Sequence, residues 1–508
     1  MDYVDLVWAP DLDTAWSRAP GALTTLNAFA PLQSGALGSI GHVQQFTLAG
    51  GGGLNARLFR QTNNSVRFLV ANAANLDEYS NAGVRTNRGT GYTGTYWDFV
   101  SWGDSIIACN GTDGVQISNA GAFSNLVSGT FKARYAAGNM DQVVLFDVDD
   151  GAGYAFKDAV ICSAFRNPTS STSYTPSAAT QCVRTRLLSV PGPARGIAAF
   201  QSGFVAFKDN GFFVGKYAGP PKVMSWVPVS KRVGCIAPFS ITECDGKLYW
   251  LHSSGFWEWD GQNLRNIGIP VIQSFLSENA YIDTGRYTIG GGGFTFDITA
   301  TQGSADDVDG VICWQAFAWK VGPPQLTLII RYYYNVRTGR WGRWVRQFTG
   351  ASFSAQPLVR AVTADLQAFK TDTAGRFWEV VSEAGGAQVN SVRYPYAAQL
   401  ASNNPSLTTG FYGDSPISSS RQSMMLLRHL KGTDALLATD VTADIGGSST
   451  EDGTTALSAV PTTTYDPTQG AIKGDVDAPF KQMDVTYGLS RRIILGGVYP
   501  KLAATGVR

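Results

Sequence analysis

The chain repeats one short pattern of apolar and polar positions. An apolar run alternating with period two leads into a turn rich in Asp, Asn and Gly, and a second run, rich in aromatics, leads out. The seven instances are SVRFLVANAANLDEYS (65–80), DSIIACNGTDGVQI (104–117), VVLFDVDDGAGYAF (143–156), GFVAFKDNGFFVGKY (203–217), GKLYWLHSSGFWEWDGQ (246–262), LIIRYYYNVRTGRW (328–341) and AFKTDTAGRFWEV (368–380). A strand sends alternate side chains to opposite faces, and these turn residues tolerate a tight reversal, so each instance predicts a β-hairpin. Helical periodicity is scarce.

From turn to turn the hairpins recur at about 36 to 84 residues, and one propeller blade takes roughly 40 to 50. The longer intervals fit a blade with an insertion. Seven hairpins exceed what a single sandwich normally holds. The expected fold is therefore all-β, a β-propeller of about six blades occupying 56–400, with an extended N-terminal arm (1–55) and a C-terminal β-rich module (401–508). The arm, with RAPGALTTLNAFAPLQSGALGS, reads as a wrapping segment, and the Ser-, Thr-, Asp- and Gly-rich tract 447–475 reads as a mobile loop.

The third-from-last hairpin, 246–262, packs five aromatics and a histidine around Ser253, Ser254 and Gly255. A turn at Ser254-Gly255 pairs Trp250 with Trp259 and His252 with Trp257. One face then carries Leu248, Trp250, His252, Trp257 and Trp259, and the other, mixed face carries Tyr249, Leu251, Glu258 and Asp260. A sugar platform needs exposed aromatics flanked by hydrogen-bonding groups, whereas an apolar face is what a blade packing on its neighbour requires. The second reading is the one expected.

Composition narrows the function. Charged residues are only 16% of the 508, and Lys plus Arg (40) nearly cancels Asp plus Glu (39). Tight binding of nucleic acid draws on a basic excess, which this chain lacks. The start, MDYVDLVWAPDLDTAW, has neither the basic flank nor the apolar core of a secretory signal, and no apolar run reaches the roughly 18 residues of a membrane helix. Cys109, Cys162, Cys182, Cys235, Cys244 and Cys313 show no metal-ligand spacing and read as buried or idle thiols, in which case the sequons at Asn63 and Asn110 carry no meaning.

Candidate chemistry is sparse. His42, His252 and His429 are far apart in sequence, so no Ser-His-Asp or Cys-His site is indicated. DTAGRFW (372–378) has the Asp, Gly and Trp of a sialidase-type turn without its leading Ser, and no second copy exists. DVDDGAGY (147–154) and DDVDG (306–310) hold pieces of a calcium loop but not its full alternation of oxygens. GGGG at 50–53 and at 290–293 lacks the Lys-Ser/Thr of a phosphate loop. NVRTGRWGRWVRQF (335–348) sets Arg337, Arg340, Arg343 and Arg346 among Trp341, Trp344 and Phe348, which could stack bases but reads better as a blade hairpin with solvated arginines and core tryptophans. No catalytic, cofactor or metal residues are assigned, and no cofactor is expected.

Three stretches, APGALTTLNAFAPLQSG (19–35), YWDFVSWGDSIIACNGTDGVQ (96–116) and PGPARGIAAFQSGFVAFKDNGFFVGKYAGPPKVMSWVPVSKRVGCIAPFSI (191–241), followed by the 246–262 hairpin, resemble the tail nozzle, or packaged-DNA stabilisation, proteins of short-tailed bacteriophages. The likeness extends loosely over about 15–345, with a weaker echo after 405. The stretches at 285–325 and 447–475 depart from the family. The resemblance implies a non-enzymatic virion protein made in the host cytoplasm. It implies a propeller subunit forming a homohexameric tube below the portal and its adaptor, closed by a needle, plug or spike. Such a tube touches genomic double-stranded DNA only transiently, and near-neutral charge suits a conduit. The alternative expectation is a carbohydrate-binding or glycan-degrading propeller acting in host recognition, favoured by Trp and Tyr density. A cellular scaffold lacks the repeated signatures of the common propeller scaffold families.

Overall fold

A computed structural model of the 508-residue chain describes residues 7–11, 22–27, 29–33, 37–48, 55–63, 65–71, 74–80, 82–94, 96–276, 294–296, 298–320, 326–349, 358–360, 377–383 and 386–393. In the C-terminal part it describes 406–409, 411–412, 425–426, 441–448, 463–466, 471–473, 482–483 and 494–502. Among these residues the fold is all-β apart from one five-residue α-helix, Ile272–Leu276, and short 3-10 turns.

The expected all-β propeller is borne out, with seven sheets in the ring where about six blades are expected. Six four-stranded antiparallel sheets are joined in the ring by one larger, seven-stranded sheet. In chain order we call them blade 1 (Asn55–Thr90), blade 2 (Asp98–Asn125), blade 3 (Lys132–Arg186), blade 4 (Ala194–Ser230) and blade 5 (Thr242–Asn266). Blade 6 is the larger sheet, with Gln302–Asp306, Val311–Lys320, Leu326–Asn335 and Arg340–Thr349 as its main strands. Blade 7 holds Leu358–Arg360, Phe377–Glu383 and Gly386–Arg393.

Each of the first five predicted hairpins is the middle pair of strands of one blade, and the sixth is the third and fourth main strands of blade 6. The seventh is displaced: residues 368–376 lie outside the described residues, and the middle pair of blade 7 is Phe377–Glu383 with Gly386–Arg393.

What holds the sheets in a circle is burial between them. Seven apolar clusters alternate with the seven sheets, one at each seam, from Leu69 and Ile106 between blades 1 and 2 round to Val70 and Trp378 between blades 7 and 1. An isolated blade would leave both apolar faces in water, so closure into a ring is what covers them.

Residues 1–55, expected as an extended arm, are used as strands in three different sheets. Val7–Trp8 and Ala22–Asn27 join the C-terminal sheet, Phe29–Pro31 and Leu37–Ser39 extend blade 6, and Gly41–Leu48 is the outer strand of blade 7. The reason lies in short alternating runs such as HVQQFTL, whose backbone groups need a ladder partner. The last pairing closes the ring, because the strand immediately before blade 1 completes the blade that ends the circle. Six of the C-terminal strands form an eight-stranded sheet with the arm's first two, and Met425–Leu426 pairs separately with Gln482–Met483.

The tract 447–475, expected as a mobile loop, contributes the paired strands Thr463–Asp466 and Ala471–Lys473. Its run of threonines ending in Tyr465 favours strands through β-branching. Residues 449–462, 467–470 and 474–475 lie outside the described residues, as do both GGGG runs.

Candidate functional site

The aromatic hairpin 246–262 sits between blades 4 and 6. Its register pairs His252 with Gly255, Trp250 with Trp257, Leu251 with Phe256 and Leu248 with Trp259. The turn is therefore Ser253-Ser254, one position earlier than expected, while the grouping of side chains by face survives. Both faces are buried, which corrects the expectation of one mixed face. Trp250 and Trp259 pack with Phe207 and Phe212 of blade 4, whereas Tyr249, Leu251 and Phe256 pack with Trp314 and Trp341 of blade 6. The Trp250 indole N–H donates to the Gly234 carbonyl at 2.8 Å, which satisfies its one polar atom inside the core.

His252 lies at the rim of this hairpin. Its Nδ1 is 2.8 Å from the Ser254 hydroxyl, and burial pushes the imidazole pKa down. No carboxylate completes a triad there among the contacts described. His42 falls in the strand Gly41–Leu48, and His429 lies outside the described residues.

The arginine-rich run 335–348 is structural. Trp341 and Trp344 are buried, so neither offers a face to a base. Arg337 pairs with Asp245 of blade 5 at 3.0 Å and donates to the carbonyls of Asp307 and Val308. Arg346, expected in solvent, is buried: its guanidinium and that of Arg331 both pair with Glu379 of blade 7. Asn390 donates to the same carboxylate at 3.0 Å, Gln315 accepts from Arg331 at 2.7 Å, and Arg331 stands over the Trp344 ring. Such partners offset the cost of drawing a carboxylate into the interior. This network fastens blade 6 to blade 7.

The candidate cation loops are turns. In 147–154, Asp149 accepts from the Gly151 N–H and Asp150 from those of Ala152 and Tyr154, while Arg184 pairs with Asp150. In 306–310, buried Asp306 accepts from the Val308 N–H. Among the described residues no group of three or more His, Cys, Asp or Glu side chains is placed to hold a metal. Of DTAGRFW, Phe377 and Trp378 are buried core residues and the rest lies outside the described residues. All six cysteines are free and buried, as expected, and burial pushes the Cys235 and Cys313 thiols up to about 12. Among the described residues no helix is long and apolar enough to cross a membrane.

The remaining candidate surface is the hub, where innermost strands of several successive blades touch. Blades 1 to 4 place Arg57, Arg60, Lys132, Arg134 and Arg195 on their innermost strands, and Asp98 is the acid among them. Arg195 is paired with Asp209. Asp98 accepts from the Ala136 N–H of the next blade at 3.0 Å; crowding by protein pushes its pKa up from 3.8 to about 6, against the pull of that hydrogen bond and of Arg57. The Arg331–Glu379–Arg346 network and Asp98 carried no sequence signal, since each depends on strands far apart in the chain.

No protein-family model matches the chain, and no curated protein matches it. Solved structures do. A quinoprotein alcohol dehydrogenase-like protein from Bacteroides thetaiotaomicron aligns over 60% of this chain and 69% of its own at 9% identity and a TM-score of 0.37. The WD40 domain of SCAP from fission yeast aligns over 67% of this chain and 82% of its own at 8% identity and a TM-score of 0.29. They are propeller proteins, and at these values the fold assignment rests on the sheets and seams described above.

Proposed function

We propose that the chain is a non-enzymatic structural virion protein, a tail nozzle subunit that assembles as a homohexamer below the portal and its adaptor. In this reading it retains packaged DNA, conducts it at ejection and meets a needle, plug or spike at its far end. One observation carries the reading. The residues that resemble the nozzle family at 96–116 and 191–241 belong to blades 2 and 4 and the connections beside them, and their large apolar side chains pack in the seams between blades.

In this reading the genome passes along the tube that the six copies enclose. The glycan alternative draws on Trp250 and Trp259, which are buried.

Electron microscopy of the purified chain, alone and with the adaptor of its parent particle, tests the proposal. Rings or a tapered tube are expected. A monomer indifferent to the adaptor, or turnover of a capsular polysaccharide, overturns it.

A further inference from the structure

Blade 4 differs from its neighbours at its outer edge. In blades 1, 3 and 5 the arginines of the outermost strand are neutralised within the blade: Arg85 by Asp77, Arg88 by Glu78, Arg184 by Asp150, Arg186 by Asp158 and Arg265 by Glu258. The outer hairpin of blade 4, Phe212–Gly219 with Val223–Ser230, has nothing comparable. Residues 210–242 contain Lys216, Lys222, Lys231 and Arg232 and no Asp or Glu. All four cations are exposed, and among the described residues none is paired with a carboxylate. The whole chain carries +1 and this stretch +4, so everything else is net −3.

The same edge exposes apolar surface. Pairing of Val214 with Val227 and of Lys216 with Ser225 puts Lys216 and Val227 on the face turned toward blade 5. Blade 5 ends in a three-residue strand, Leu264–Asn266, against eight residues in Val223–Ser230, so among the described residues its edge strand leaves the outer part of that face without cover. Val227 is 57% exposed and Val229, in the bulge beside Pro228, 42%. Lys222 lies just before the strand and Lys231 and Arg232 just after it. Eight residues of strand span roughly 25 Å, so an apolar middle stands between two cationic ends.

An apolar centre with a charged rim is the anatomy of a protein–protein interface. A phosphate backbone gains from the cations but nothing from the valines. Addition of a partner strand is opposed by Pro228, which has no N–H, and by the bulges at either end of the strand. We infer that the outer edge of blade 4 docks an acidic protein segment through side-chain contacts, covering Val227 and Val229 and pairing its carboxylates with Lys216, Lys222, Lys231 and Arg232. The inference goes beyond the nozzle reading and does not depend on it.

The test titrates the full chain at low salt with an eight-residue peptide of alternating valine and glutamate, matched to the length of the edge strand. A control peptide carries glutamine for glutamate, and a short DNA duplex is the second control. The acidic peptide is expected to bind, roughly tenfold more weakly to Lys216→Gln/Lys231→Gln and several-fold more weakly to Val227→Ser, with the unfolding midpoint unchanged. Absence of binding, equal binding of the glutamine peptide or indifference to these variants overturns the inference. So does tighter binding of the duplex that ignores Val227→Ser, which makes the edge a phosphate surface. Self-association abolished by the same variants overturns it too, assigning the edge to a second copy of the chain.

Discussion

The indole ring of Trp250 lies 4.9 Å from the ring of Phe207, across the seam between blades 5 and 4, and is fully buried there. Phe212 completes the contact at 5.4 Å. Trp250→Ala removes a fully buried indole of this seam and a hydrogen bond, and is expected to cost about 3–5 kcal/mol. Trp257→Ala, at the partly exposed cross-strand position, should cost clearly less. Urea unfolding of both variants decides it, and equal losses would contradict a seam role for Trp250.

Glu379→Gln leaves Arg331 and Arg346 buried without their carboxylate, an expected loss of about 3–5 kcal/mol. Replacing all three together, as Arg331→Met, Glu379→Leu and Arg346→Met, should recover most of it, because no charge is then stranded. Chemical denaturation of the single and triple variants measures the difference. A triple variant as unstable as the single one would mean that the network does more than neutralise itself.

Asp98 gives the fold a dependence on pH. Its carboxyl titrates near 3.8 when unfolded and about 6 when folded, so the folded chain binds the extra proton between those values and loses stability as pH rises through them. Asp98→Asn should stabilise the protein by roughly 2–3 kcal/mol above pH 7 and by little below pH 4. Unfolding midpoints of both proteins across this range give the answer; a difference that does not change with pH is the contrary result.

Gly234 faces the carbonyl oxygens of Lys208 and Asp209, where a Cβ would collide with backbone. Gly234→Ala is expected to cost about 1–3 kcal/mol. Gly121 faces open space, so Gly121→Ala should change the thermal midpoint little. Calorimetry of the pair separates a packing requirement from a general sensitivity to alanine.

The repeated hairpins were legible because a turn and its two flanking runs are local: alternation, Asp, Asn and Gly are all that a blade's middle strands need. The 246–262 turn was misplaced for a physical reason. Gly255 is favoured because its φ of +146° is one that other residues rarely adopt, although it opens the second strand and does not itself form the reversal. Arg346 was expected in solvent because its partner Glu379 is in another blade, and nothing within 335–348 announces it. The arm was hidden in the same way, since HVQQFTL finds its partner in residues 387–393.

That last pairing has a consequence for synthesis. The strand Gly41–Leu48 leaves the ribosome long before Gly386–Arg393 exists, and at 5–20 residues per second the wait is on the order of tens of seconds. Through that interval a translating chain holds six blades' worth of sheet with one sticky end unclaimed. Crowded polysomes making this protein in quantity thus face a choice between intramolecular closure and strand exchange with a neighbouring nascent chain, and growth temperature and translation speed become the levers on yield.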